Sequence, residues 1–462
     1  MKRFLLVSIL ALTCGTMSIA QNKGAVDVKM LNDIRSTFTL DASSRAIQNA
    51  ITNSESIREL SLNHEKIGKT DHFFKYRVDV KGITNQESSG RCWMFTSMNT
   101  IRPDVMKKFN LNSFDFSHNY NYFWDLFEKS NLFLENVMAT ADRKMDDREV
   151  VLYFKGPVDD GGVWNSFFNV AKKYGVVPTE VMPETEASNK TREITSLINE
   201  KLRGEGYKLR NMIARKASVK EVRLAKVEVL KSIYRMLALS LGEPPVNFTW
   251  RFKDVDGKIS ESKLYTPKEF LAEINPDFAK TELVMIMNDP TRDYYKVYEI
   301  KNYRNVSEGI NWTYLNLPND QIKQFAMASI KNNEAMYASC DVGKQHNRKA
   351  GVMDLNTYDY ESLMGVEFDM DKKARILTRQ SGSSHAMALI GVDVDENEKP
   401  VKWEFENSWG ATSGNNGYIT FTDEWFSEYM FRVVINKNYL DDKAKAALNT
   451  SPILLPVWDY MF

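Results

Sequence analysis

The apolar positions of this chain change period part-way along it. The run "CWMFTSMNTI", Cys92 to Ile101, is mostly apolar and predicts a helix that starts near Gly90-Arg91 and is ended or kinked by Pro103. "FSHNYNYFWDLFEKSNLFLENVM" predicts an aromatic-rich helix after it. "PVDDGGVWNSFFNVAKKYGV" predicts a glycine turn, a helix and a stop at Gly175. From residue 186 to 240 the chain becomes highly charged but keeps helical spacing, with Leu224, Val227, Leu230, Tyr234 and Leu237 on one expected face. Ser218 and Glu221 fit a capping box. Gly204-Glu205-Gly206 is expected to break the preceding helix, and Pro244-Pro245 to end the segment.

Beyond about residue 250 the pattern turns to strands. "ELVMIMND", "YYKVYEI", "EAMYASCDV", "HAMALIGVDVD", "VKWEFENSWG", "GYITFTDEWF" and "FRVVINKNYL" are rich in β-branched and aromatic residues, and several alternate apolar with polar. Helices first and strands later predict an α+β chain with a helical lobe and a β lobe. The expected divisions are an arm at 21–84, the helical lobe at 85–185, an inserted helical subdomain at 186–250, the β lobe at 251–445 and a tail at 446–462. The charged insertion equally suits an interdomain face or an oligomer contact.

Composition adds a compartment and removes some function classes. The 462 residues are 43% hydrophobic and 26% charged, as in a soluble globular protein. Lys+Arg and Asp+Glu both number 61, so no net charge points to nucleic acid or an anionic membrane. The start, "MKRFLLVSILALTCGTMSIAQNKG", has a basic head, a short apolar core and a small-x-small site ending at Ala20. This predicts a signal peptide, residues 1–20, and a secreted or periplasmic protein. Cys14 falls inside it, and the residues before Cys14 match a lipid-anchor sequence poorly. No later segment has the uninterrupted apolar length of a membrane span.

Cys92 and Cys340 then remain. Two cysteines are too few for a disulfide scaffold, although one bridge between them is an alternative. With five scattered histidines and no CxxC or HxxxH spacing, no metal site is expected. A thiol becomes a nucleophile when its thiolate is favoured by a helix N-terminus and a nearby imidazolium. Cys92 stands at an expected helix start. Of the histidines, His385 heads an apolar strand after the loop "SGSS", a rigid mount for a base. "VKWEFENSWG" ends the next strand at Asn407, and neighbouring antiparallel strands would set Asn407 beside His385. An amide orients an imidazole without adding a charge, and Trp409 can shield their hydrogen bond. Gln86, six residues before Cys92, can join the Cys92 N–H as an oxyanion donor.

Gln86, Cys92-Trp93, His385 and Asn407-Ser408-Trp409-Gly410, in that order, resemble the papain-type cysteine peptidases. Three departures narrow the resemblance. Ser89 stands where that group has a disulfide cysteine, and Arg91 replaces a small residue. The Cys92-to-His385 separation is about twice the roughly 130 to 150 residues usual there, which accommodates the charged insertion. With "NQESSGRCWMF", "DDGGVW", "KYGVVP", "CDVGK", "DYESLMGVEFDM", "SSHAMALIGVD" and "FENSWG", the chain resembles the bleomycin hydrolase and bacterial aminopeptidase C branch, from about residue 30 to the C-terminus.

The resemblance implies a papain-like core with an inserted helical subdomain, and cysteine aminopeptidase activity on peptides without metal or cofactor. It implies a homohexamer whose sites face a central channel. Cys340 would be an unreactive core residue. Gly161 and Gly162 would line the acyl side of the cleft, where Gly162 pairs with substrate main chain. The C-terminal carboxylate, here that of Phe462, would receive the substrate's free amine. "PVWD" resembles the family's tail, but this chain ends about three residues earlier, so dipeptidyl-peptidase or endopeptidase action is the nearest alternative. A binding protein on an inactive peptidase fold would have lost one of the four site residues. A transglutaminase-like acyl transferase would usually carry Asp in place of Asn407. The familiar members are cytosolic, so a leader is itself a departure. The sequons at Asn189, Asn247, Asn305 and Asn311 bear only on a eukaryotic secretory route.

Overall fold

A computed structural model of the chain describes residues 24–461. The expected signal peptide and Phe462 lie outside them. The centre is a twelve-stranded sheet. Its main strands are β1 (Leu283–Met287), β2 (Lys296–Ile300), β3 (Thr313–Asn316), β4 (Met336–Cys340), β5 (His385–Val394), β6 (Pro400–Glu406), β7 (Tyr418–Thr422), β8 (Met430–Asn436) and β9 (Ile453–Leu455). Their order across the sheet is β9-β2-β3-β1-β8-β4-β5-β6-β7. All seven strand runs anticipated from the sequence are present, although "GYITFTDEWF" turns from strand into the helix Asp423–Tyr429 after Thr422.

β5 lies mid-sheet with β4 and β6 as antiparallel neighbours. Both faces of the sheet are covered, which is why β5 is apolar through most of its length instead of strictly alternating. One core lies where helices Asn319–Lys331, Asp423–Tyr429 and Asp442–Leu448 cover Ala338, Cys340, Met387 and Val433. On the other face Tyr337, Ala386 and Val434 meet the helical lobe.

That lobe is built on α1 (Cys92–Lys108), α2 (His118–Ala139) and α3 (Trp164–Tyr174). Trp93 to Asn99 of α1 are all buried, so its first turns run through the middle of the protein. Pro103 does not end α1. Packing of Val105 and Met106 carries the helix past it, offsetting the roughly 3 kcal/mol that an interior proline costs.

The charged segment forms α4 (Arg192–Ala214) and α5 (Val219–Leu241). The expected break at Gly204-Glu205-Gly206 is absent, because α4 runs straight through. Gly206 is a packing residue: a Cβ there would sit 2.9 Å from the Phe133 ring of α2. The capping box at Ser218 and Glu221 is present. The face expected on α5 meets the core in part, through Leu237 with Leu230 and Tyr234 packed beside it. Val222, Val229, Ile233, Leu237 and Leu241 are buried, whereas Leu224 and Val227 are exposed. Residues of α4 and α5 share one continuous core with α1, α2 and α3.

The arm contributes the helices Val28–Ser36, Ala42–Asn53 and Ile57–Leu60, and Tyr76–Arg77 pairs with β5. Among the described residues no helix is long and apolar enough to cross a membrane.

Candidate active site

Cys92 is the first residue of α1, as the sequence predicts. Its thiol lies against the backbone of Ala386, next to His385 in β5. His385 stands opposite Cys340 in the β4–β5 register, and Ala388 stands opposite Glu406 in the β5–β6 register. Asn407 follows β6 directly, so the paired strands bring it to the imidazole. His385 Nε2 is 2.7 Å from Asn407 Oδ1. Asn407 Oδ1 also accepts from the Ser408 N–H at 2.8 Å, which fixes the amide's orientation. Nε2 then carries the proton and Nδ1 keeps its lone pair. Trp409 lies over this pair, its ring centroid 4.7 Å from that of His385.

Gln86 is buried and held at three points. Its N–H donates to Ser408 O at 2.8 Å, its Oε1 accepts from Ser408 Oγ at 2.6 Å, and its Nε2 donates to Ser89 O at 2.6 Å. One Nε2 hydrogen stays available. Ser408, quoted in the sequence only as part of "NSWG", is thus the clamp that joins Gln86 to the Asn407 segment.

Two charges near Cys92, one buried and one half-buried, were not legible as site residues. Arg91 is fully buried, with Nη1 2.8 Å from a Glu184 carboxylate oxygen and Nε donating to Ser89 Oγ at 3.1 Å. Asp160 ties three segments together. Its Oδ2 accepts from the Gly90 N–H at 2.6 Å and from the Thr191 hydroxyl at the start of α4, and its carbonyl accepts from Trp93 Nε1 at 2.9 Å. In the sequence Asp160 reads as a polar turn residue. The only signal was its place beside Gly161-Gly162.

Gly161 and Gly162 line a cavity of about 450 Å³ together with Lys129, Tyr153 and Val457 of the tail. Gly161 O accepts from Lys129 Nζ at 2.6 Å. Gly162 lies on the Trp93 ring, where a Cβ would come within 2.7 Å. Its own N–H and C=O bond to nothing among the described residues. The tail reaches this region. β9 pairs with β2 at the sheet edge, Asp459 forms an ion pair with Arg292, and Met461 O accepts from Arg432 Nη2 at 3.3 Å. The expected role of Phe462 falls just beyond the described residues.

The electrostatics differ from the sequence expectation. Burial pushes the Cys92 thiol up to about 11, with nearby Asp160 adding to the shift. Burial pushes His385 down to about 4, opposed by the Asn407 hydrogen bond and aided by Arg348. A helix start alone therefore does not give a thiolate here. Each charge is penalised by itself, and thiolate and imidazolium form only together, by transfer of one proton.

Cys92 and Cys340 are both free thiols, so they are not bridged. Among the described residues no group of three or more His, Cys, Asp or Glu side chains is arranged to hold a metal ion.

The Peptidase C1-like family model matches residues 25–462. The chain is 36% identical to aminopeptidase C of Streptococcus thermophilus, over 92% of this chain and 95% of that one. It is 37% identical to human bleomycin hydrolase, over 87% and 91% respectively. The crystal structure of PepW from Lactobacillus rhamnosis HN001 superposes with a TM-score of 0.90 at 35% identity, covering 95% of this chain and 99% of that one. A match of this extent, on a chain whose fold places Cys92, His385 and Asn407 around one strand pair, shows that it belongs to the Peptidase C1-like family.

Proposed function

We propose that the protein is a cysteine aminopeptidase that removes residues from peptide N-termini through a thiol acyl-enzyme. The supporting observation is the Nε2-pinned His385, its Nδ1 lone pair free, on the strand against which the Cys92 thiol packs. Cys92 passes its proton to His385 Nδ1 as sulfur attacks the scissile carbonyl. The carbonyl oxygen becomes an oxyanion held by the Cys92 N–H and Gln86 Nε2. His385 returns the proton to the leaving amine, the C–N bond breaks, and Cys92 carries the acyl group. Water gives one proton to His385 and attacks the thioester. The acid leaves and the thiol is restored. Asn407 holds the ring through both halves. Gly162 offers its free N–H and C=O to the substrate main chain on the acyl side. No step draws on a metal or organic cofactor.

The tail is the basis for exopeptidase action. It runs from β9 past Val457 in the 450 Å³ cavity to Met461, and Phe462 would present the final carboxylate to the substrate amine. A free-amine peptide is expected to be cleaved at least about tenfold faster than its N-acetyl form, because an amine–carboxylate contact is a charge-assisted one. Deleting Phe462 is expected to shrink that preference. Equal cleavage of both peptides by the full chain would support endopeptidase action instead, and release of dipeptides would support the dipeptidyl-peptidase reading.

Two further proposals come from the sequence. The first is a hexamer with sites facing a channel, expected to sediment at six times the chain mass. The second is export after cleavage behind Ala20, which predicts Gln21 as the first residue of the mature protein.

A further inference from the structure

Resting on the reading just given, His385 delivers its proton to the leaving amine. The leaving group therefore lies on the His385–Trp409 side of the scissile bond, away from Gly161 and Gly162. Arg348, which neighbours Trp409 on that side, also lines a cavity of about 840 Å³ between the arm and the hairpin around residue 347. Its lining includes the cations Arg58, Arg348 and Lys349, with His64, against the single carboxylate of Glu59. Arg58 is committed: its Nη2 donates to His346 O at 2.7 Å and its guanidinium lies 4.4 Å from the Tyr358 ring centre.

Arg348 is differently placed. It is exposed and forms no ion pair among the described residues. Its guanidinium lies 5.5 Å from the ring centre of Trp409, the ring that covers His385 at 4.7 Å. Its charge is felt at His385, whose imidazolium it disfavours. A cation is costly in that position for an enzyme that must protonate His385 during turnover, which asks what it is there to meet.

We propose that Arg348 is a specificity-determining residue that binds a carboxylate on the leaving group, so that this enzyme favours short peptides ending one or two residues beyond the scissile bond. An extended chain advances about 3.3–3.6 Å per residue, so a carboxylate one or two residues past the leaving nitrogen is the group set against the guanidinium. The planar fork of an arginine suits a carboxylate, and a cation–π contact with Trp409 favours this placement of the fork. The same chemistry is offered by a free C-terminus and by an acidic side chain near it.

The test compares Leu-Gly-Ala as free acid, Leu-Gly-Ala amide and Leu-Gly-Asp amide, with released leucine measured for the full-length enzyme and the variants Arg348→Gln and Arg348→Lys. The wild-type protein is expected to favour the free acid over the neutral amide by about tenfold in kcat/KM, chiefly through KM, as one charge-assisted contact provides. Arg348→Gln brings the ratio to about one, and Arg348→Lys leaves an intermediate ratio because the charge remains without the fork. If the aspartyl amide matches the neutral amide, the carboxylate read is the peptide C-terminus. If it matches the free acid, acidic side chains are read as well. A wild-type ratio near one, or a ratio that Arg348→Gln leaves unchanged, overturns the proposal. Release of leucine by Cys92→Ala would instead overturn the peptidase reading beneath it, so the two failures are distinguishable.

Discussion

At the residue scale the site turns on how one proton is shared between two buried groups. Cys92 is pushed up to about 11 and His385 down to about 4, so the neutral pair spans the pH range between. Within that range the thiol is activated by handing its proton to Nδ1, and the total proton count of the pair does not change. Alkylation of Cys92 by iodoacetamide is therefore expected to be flat from about pH 5 to pH 9 and to fall as His385 protonates near pH 4. In His385→Ala the thiol titrates alone. Its rate is expected to rise about tenfold per pH unit toward pH 11, with only about one part in 10⁴ ionised at pH 7. A wild-type profile with that same slope would show that the two groups are not coupled. Asp160 makes a second residue-scale prediction. It holds the Gly90 N–H one residue before Arg91 and thereby sets the loop that presents the Cys92 N–H. Asp160→Ala should lower kcat by about 10²-fold, the effect of an ångström-scale misplacement, while Asp160→Asn retains an acceptor and should recover most of it. Equal loss in both variants would point to charge instead of positioning.

At the element scale, α1 and β6 are fastened by a buried ion pair. Arg102 Nη2 is 2.5 Å from Glu406 Oε1, and Glu406 immediately precedes Asn407. Burial pushes Glu406 up to about 7, against the pull of Arg102. Arg102→Met would strand that carboxyl group in the core and is expected to destabilise the fold by about 3–5 kcal/mol in a denaturant titration. A loss under about 1 kcal/mol would mean that the pair does not couple the two elements. The strands were legible because β-branched and aromatic runs between polar turns have few other outcomes. The helix interruptions were not. Glycine and proline carry a local cost, yet Gly206 is what lets Phe133 approach α4, and the packing around Pro103 outweighs its cost. The face of α5 was legible only in part for a related reason. Apolar residues occur around much of that helix, and the positions of α2 and α4 together decide which of them are buried.

At the scale of the whole molecule, the sheet brings together residues far apart in sequence, from Gln86 to Asn407, and then the tail. The order of the site residues was legible because nucleophile, base and orienter each need a distinct residue type at a distinct element end. Asp160 and Ser408 were not, since a polar clamp has the sequence signature of a turn, and Arg91 was legible only as a departure from the papain-type pattern. The continuous core shared by α1 through α5 predicts that the helical lobe and the charged segment unfold as one unit, seen as a single set of protected amides in hydrogen exchange. A separate early-exchanging block over residues 192–241 would contradict it. The most direct test of the account is the turnover of leucyl-aminomethylcoumarin by Cys92→Ala beside the wild-type protein. The wild type is expected to release coumarin rapidly, and a folded Cys92→Ala variant to be slower by about 10⁴-fold or more. Undiminished turnover by that variant would contradict it.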